Sequence, residues 1–200
     1  MTGIILAGGE SRRMGRHKLF LEAGGVSLFE RVYRVLNHIF ADLIVVANNP
    51  EYFHSYEVQV IPDIYQDRGA LGGLYTGLKH ASSDAGFCFA ADMPFLNPGL
   101  IRYMIGKHDE GDVIIPRTSD GLQPLHAIYS MRCLGPIKSL LSRGNLKIID
   151  FFREVTVIYI SEGEILNYDP MLQSFLNVNT KEDLRRAEDL LTRAVWTDSR

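Results

Sequence analysis

Short continuous apolar runs alternate along the chain with stretches in which apolar residues return every three or four positions. The first pattern predicts buried strands and the second predicts amphipathic helices. Residues 4–7 are uninterruptedly apolar and stop at Gly8-Gly9, as expected of a buried strand ending in a tight loop. Leu28, Phe29, Val32, Val35, Leu36, Ile39 and Phe40 recur at helical spacing and give one face for a sheet. Strands are predicted over 43–47 and 58–61. A glycine-rich turn over 68–73 leads into a short helix carrying Leu74 and Leu78. Residues 86–91 form another buried strand, which stops abruptly at Asp92. Asn97-Pro98 opens a helix, with Asn as the cap and Pro in the first position, and Leu100, Ile101, Met104 and Ile105 supply its stripe.

The second half is less regular. Strands are predicted over 112–115 and 125–129, with the polar segment 116–123 reaching away from the sheet between them. Helices over 134–141 and 146–152 follow, then strands over 155–160 and 175–178. Thr180-Lys181-Glu182-Asp183 has the form of a capping box with Asp in the last place, and Leu184, Ala187, Leu190, Leu191 and Ala194 line one face of the helix behind it. Repeated strand–helix alternation predicts an α/β fold. It is a three-layer αβα domain with a mostly parallel, Rossmann-like sheet, to which the later segments add an antiparallel edge or hairpin. No linker, repeat or low-complexity tract divides the chain, so residues 1–200 are expected to form a single domain.

Composition narrows the function. With 46% hydrophobic and 22% charged residues, a disordered or collagen-like chain is excluded. A net charge of -3 argues against a general polyanion binder, so no nucleic-acid partner is expected. Cys88 and Cys133 form no CxxC pair, which removes a cysteine-built zinc site and fits a reducing compartment. The first residues lack the basic segment of a signal peptide, and no run approaches the roughly 20 apolar residues of a membrane span. A cytoplasmic protein with no membrane span is the expectation.

The candidate chemistry begins in the segment from Leu6 to Lys18. Gly8 and Gly9 follow the first strand, and without Cβ atoms they let backbone amides approach an anion. Arg12, Arg13, Arg16 and Lys18 place four basic side chains within seven residues of this acidic protein, a phosphate-site pattern that a tight turn with solvated arginines would also produce. The spacing of Gly8, Gly9 and Gly15 does not give the GxGxxG of dinucleotide sites, and Gly15-Arg16-His17-Lys18 does not give a Walker loop. Asp92 sits where ligands of open parallel sheets lie, beyond a strand's carboxyl end. There it fits a Mg2+ ligand holding phosphate oxygens, or a turn former. Asp63 fits a nucleotide contact or a turn beside Pro62 equally well, and Asn48 follows a strand in the same way. The 68–73 glycines leave room for a flat base or for close strand–helix packing. His126, inside an apolar strand, fits a hydrogen-bonded structural histidine at least as well as a ligand.

Leu6-Ala7-Gly8-Gly9, Arg13-Met14-Gly15 and Lys18 together resemble the signature of the molybdenum cofactor guanylyltransferases and their nucleotidyltransferase relatives. The likeness continues through 68–73, Asp92-Met93-Pro94-Phe95 and 123–129, and Asn177-Val178-Asn179-Thr180 favours the guanylyltransferase branch. The resemblance implies a nucleotidyltransferase fold whose nucleotide part is about 1–95 and pterin part about 96–190. It also implies transfer of GMP from GTP to the terminal phosphate of molybdenum-molybdopterin, with Mg2+ as cofactor and pyrophosphate released. By the same likeness Leu6, Ala7, Gly8, Gly9, Gly15, Lys18, Asn48, Asp63 and Asp92 would bind nucleotide. Lys18, Asp92 and Arg13 would be catalytic, Asp92 would hold the metal, and Asn177 and Asn179 would lie near the pterin. Partners would be the small-molecule substrates and cofactor-delivery or acceptor proteins of the molybdoenzyme pathway. A cytidylyltransferase on the same pterin, or a nucleotide-binding carrier module without turnover, would share the phosphate machinery.

Overall fold

The computed structural model describes residues 1–8 and 18–197. Its elements run β1 (Thr2–Leu6), β2 (Glu22–Ala23), β3 (Val26–Ser27), α1 (Leu28–Asn37), β4 (Leu43–Val46), β5 (Gln59–Ile61), α2 (Gly69–His80) and β6 (Ala85–Ala90). They continue with α3 (Pro98–Ile105), β7 (Val113–Thr118), β8 (Gly121–Leu122), β9 (His126–Ser130), α4 (Leu134–Ser142), β10 (Val157–Ser161), α5 (Glu162–Leu166) and α6 (Lys181–Thr197).

One sheet takes the order β5-β4-β1-β6-β9-β7-β10, with β8 paired to the end of β7. The strands β5, β4, β1 and β6 are mutually parallel, in the register Ile61–Val46–Leu6–Ala90. Strand β9 runs antiparallel to both β6 and β7, while β10 is parallel to β7. The mostly parallel sheet expected from the strand–helix alternation is therefore present. Its antiparallel strand lies inside the sheet rather than at an edge, and the hairpin is β7–β8.

The alternation within strands sorts the helices. Ile5, Val45, Phe87 and Phe89 share one buried cluster with Phe29, Val32 and Leu36 of α1, Leu100, Ile101 and Met104 of α3, and Ile165 of α5. Ile4, Leu6, Ile44 and Cys88 face the other way, onto Leu71, Leu74 and Leu78 of α2 and Ile137, Leu140 and Leu141 of α4. Each such buried aliphatic side chain contributes about 1.5–3 kcal/mol, so the two clusters pin the sheet between two helical layers. Among the described residues no helix is long and apolar enough to cross a membrane.

Three local expectations are corrected. The 68–73 glycine turn is the first part of α2, although glycine disfavours helix by about 1 kcal/mol per residue. Gly73 and Gly77 lie one turn apart against β1, where a Cβ would stand 3.2 Å from Leu6 Cδ2 and 2.4 Å from Ile4 Cγ2. Close approach to the sheet, held by Leu71, Leu74 and Leu78, overrides the propensity. The segment 116–123 does not leave the sheet: β7 extends through Thr118, and Gly121 and Leu122 pair back onto it. Residues 175–178 form no strand, and a 3-10 turn at Gln173–Phe175 is followed by extended chain. The two-stranded β2–β3 sheet was not anticipated, although its Gly24-Gly25 turn, at φ +61° and +75°, has the residues that such a hairpin requires.

Candidate functional site

Four parallel strands end at one edge, and the residues that follow them form the candidate site. The ladder extends one residue past the strands, through Ala7 N–H to Val46 O at 3.0 Å, Ala47 N–H to Ile61 O at 3.0 Å and Ala91 N–H to Leu6 O at 3.1 Å. Gly8, Asn48 and Asp92 come next along the chain, and Asp63 follows Pro62 two residues beyond β5, so residues far apart in sequence come to neighbouring strand ends. Leu6 and Ala7 are buried at the end of β1, while Gly8 is exposed. Gly9, Arg12, Arg13, Gly15, Arg16 and His17 lie outside the described residues. Lys18 opens the 3-10 turn Lys18–Phe20, and its side chain is likewise outside the description. The Phe20 ring lies 5.7 Å from both Tyr52 and Phe53, so the chain re-enters beside the turn that follows β4 and Asn48.

Asp63 is held by its neighbours from three sides. Its backbone N–H donates to Asn48 Oδ1 at 2.9 Å. Its Oδ1 accepts from Tyr65 N–H at 3.0 Å and from the Thr76 hydroxyl at 2.7 Å. Thr76, fully buried on α2, also accepts from Ile64 N–H at 3.0 Å. The turn-forming reading of Asp63 matches this geometry, and its Oδ2 is left without a hydrogen-bond partner among the described residues. Thr76 escaped the sequence reading because a threonine within an apolar helix carries no signal until its partner across the fold is known.

Asp92 is half-buried at the end of β6, and its carbonyl accepts from Val178 N–H at 2.9 Å. That single backbone bond lays the segment bearing Asn177 and Asn179 against the Asp92 corner. Asn177 is half-buried, its amide 3.5 Å from Phe175 O, while Asn179 is exposed and its N–H donates to Asp183 Oδ2 at 2.9 Å. The capping box expected at Thr180 is present in both directions, Thr180 N–H to Asp183 Oδ2 at 2.8 Å and Asp183 N–H to Thr180 Oγ1 at 3.1 Å. It fixes where α6 starts, and hence where Asn179 stands. The antiparallel β9 enters at the same edge, with Ala90 N–H donating to Leu125 O at 3.1 Å and Gln123 Nε2 to Thr118 Oγ1 at 3.2 Å.

The chemistry of this edge fits Mg2+. Asp92 offers hard oxygen donors, and among the described residues no group of three or more His, Cys, Asp or Glu gathers into a cage. Mg2+ in phosphate chemistry characteristically takes one or two carboxylates and completes its shell with substrate oxygens and water.

His126 is fully buried, and among the described residues neither ring nitrogen has a hydrogen-bond partner. The rings of Phe87, Phe89 and Phe175 surround it at 5.6, 5.3 and 5.2 Å between centroids. It is thus a core residue, but not the hydrogen-bonded one that the sequence suggested, and burial pushes its pKa down to about 3. A cavity of about 430 Å3 lies near the opposite edge, lined by Asp84, Asp109, Asp112 and Arg132 among others. Asp112 there is already engaged by Thr156 N–H, the Ser130 hydroxyl and Arg132, the Thr156 bond being the main cause of its lowered pKa.

A glycine-ended first strand and a carboxylate at the end of its parallel neighbour, on a sheet covered by helices, place a candidate ligand site at the carboxyl edge of an α/β sheet. Comparison with known proteins gives the narrower assignment. Residues 3–156 match the MobA-like NTP transferase domain, and the chain belongs to that family. A probable molybdenum cofactor guanylyltransferase of Natranaerobius thermophilus is 40% identical over 197 residues, covering 96% of each chain. A molybdenum cofactor guanylyltransferase of Desulfosudis oleivorans is 39% identical over 190 residues, covering 94% of each. Among solved structures, molybdopterin-guanine dinucleotide biosynthesis protein A of Archaeoglobus fulgidus aligns with a TM-score of 0.84 at 26% identity, over 96% of this chain and all of that one.

Proposed function

We propose that this protein transfers GMP from GTP to the terminal phosphate of molybdenum-molybdopterin and releases pyrophosphate. The observation that carries the reading is the Val178–Asp92 backbone bond, which sets Asn177 and Asn179 beside the strand end that carries Asp92. One edge thereby offers a place for a nucleotide, over Gly8, Asn48 and Asp63, next to a place for a second substrate. The relatives' printed names, molybdenum cofactor guanylyltransferase, support a guanylyl donor and a molybdenum cofactor acceptor.

In this reading an oxygen of the pterin phosphate attacks the α-phosphorus of GTP in line with the departing pyrophosphate. The attacking oxygen is already anionic, so no general base is required, and positioning and charge neutralisation carry the acceleration. Asp92 would hold Mg2+, which when bound supplies positive charge to the phosphate oxygens. Lys18 and Arg13 stabilise the charge on the leaving pyrophosphate, Leu6, Ala7 and Gly8 present backbone to the nucleotide, and Gly9 and Gly15 belong to the same nucleotide-binding loop. Asn48 and Asp63 contact the nucleotide, and Asn177 and Asn179 orient the pterin. In this reading the nucleotide part is about 1–95 and the pterin part about 96–190.

The test is pyrophosphate release by purified protein given GTP, Mg2+ and molybdopterin singly and together, with the product mass measured. Release only with all three, and a GMP-bearing product, is expected. CTP preference with a CMP-bearing product would replace the guanylyl assignment, and binding of GTP without any turnover would make the chain a carrier module.

A further inference from the structure

We infer that Thr76 is a positioning residue for nucleotide binding: its hydroxyl locks the Asp63 carboxylate in one orientation, so that a single carboxylate oxygen remains to meet GTP. The inference rests on the nucleotide-contacting reading of Asp63.

The argument is a matter of donors and acceptors. An ionised carboxylate only accepts, and a backbone N–H only donates. Oδ1 of Asp63 is occupied twice, by Tyr65 N–H at 3.0 Å and by the Thr76 hydroxyl at 2.7 Å. Because the Thr76 proton is committed to Oδ1, its oxygen is free to accept, and it takes Ile64 N–H at 3.0 Å. The amide of Asn48 is oriented by the same logic: its oxygen must face Asp63 N–H, at 2.9 Å, so its NH2 faces away as a donor. Among the described residues the strand-end turn therefore leaves one acceptor, Asp63 Oδ2 beside Gly72, and one donor, Asn48 Nδ2, without a hydrogen-bond partner, each with its partner atom pinned.

Thr76 is the only one of these groups anchored in a helix. It sits at full burial in α2, whose Gly73 and Gly77 lie against β1. Helix α2 thus carries the position of the central strand to the carboxylate through one hydroxyl. Without that hydroxyl, Asp63 keeps only the Tyr65 N–H bond on Oδ1, and its χ1 and χ2 are free to swing the carboxylate towards solvent. The group that would greet the nucleotide is then present but no longer pre-set, a loss that weakens binding of ground state and transition state alike.

The experiment compares Thr76→Val, which keeps the shape, Thr76→Ala, which is smaller, and Thr76→Ser, which keeps the hydroxyl. Each is made alone and with Asp63→Ala, and each is assayed below its own melting temperature. Loss of a hydrogen bond to a charged group predicts a rise of about tenfold in the KM and Kd for GTP in both Thr76→Val and Thr76→Ala, with kcat changed less than about twofold. Thr76→Ser is expected to restore KM. In the Asp63→Ala background, Thr76→Val should add no further rise, because the partner through which it acts is gone. A general packing defect would instead multiply with Asp63→Ala and would not be relieved by Ser. If Asp63→Ala raises KM while neither Thr76→Val nor Thr76→Ala does, or if the two effects multiply in full, the inference is overturned. If Asp63→Ala itself leaves GTP binding unchanged, the nucleotide reading of Asp63 fails first, and the role of Thr76 fails with it.

Discussion

Burial of His126 among three phenylalanine rings makes a quantitative statement about acid stability. Its pKa is about 3 in the folded chain against an ordinary value of 6.5, and the cause is desolvation of the charged form. The sign is fixed by which state takes up the proton. Above pH 6.5 both states hold a neutral ring and the group contributes no pH dependence. Between pH 6.5 and about 3 the unfolded chain binds a proton that the folded chain refuses, so stability falls as pH falls. The slope is about 1.4 kcal/mol per pH unit, and the loss at pH 5 is about 2 kcal/mol relative to pH 7.5.

Urea unfolding of the wild type and of His126→Leu at both pH values measures this difference, since the other titrating groups are common to both proteins. At pH 7.5 the two should agree to within about 1 kcal/mol, because the altered shape of the side chain offsets removal of two unpaired ring nitrogens. At pH 5 the variant should be about 2 kcal/mol the more stable. An equal loss in both proteins, or a folded-state imidazole that titrates between pH 7.5 and 5 by NMR, would refute the argument.

Asp92→Asn should melt near the wild-type temperature yet lose turnover on the order of 100-fold or more, as expected when a charge that organises the transition state is removed. Wild-type kinetics across a Mg2+ titration would refute the assignment. Gly77→Ala forces a methyl to within 2.4 Å of Ile4 Cγ2, so overpacking should outweigh the helix-propensity gain and destabilise by about 1–2 kcal/mol, measured in urea. A stabilised variant would show that α2 can move off the sheet at no cost. Asn97 caps α3 through Leu100 N–H at 3.0 Å and also donates to Tyr168 O at 2.8 Å, so Asn97→Ala should lose about 1–2 kcal/mol in urea unfolding, and Asn97→Asp, which keeps the cap but sets an acceptor against that carbonyl, should also be destabilised.

Local rules decided what local chemistry can decide. The apolar runs before Gly8 and Asp92 specify buried strands because a chain covered on both faces has no polar side to show. Asn97-Pro98 and Thr180–Asp183 specify helix starts because the partners of those caps lie within a few residues. The motifs also marked the strand ends that meet at one edge. The rest depends on partners distant in the chain. Helix formation through the glycines of α2 requires β1 beneath them, the path of 175–178 is set by one N–H reaching Asp92, and β9 finds its place between β6 and β7 by pairing with both. Thr76 holds Asp63 across thirteen residues. Sequence thus fixed which groups could take part, while only the folded sheet, by bringing its strand ends and helix faces within hydrogen-bonding distance, decided which of them meet.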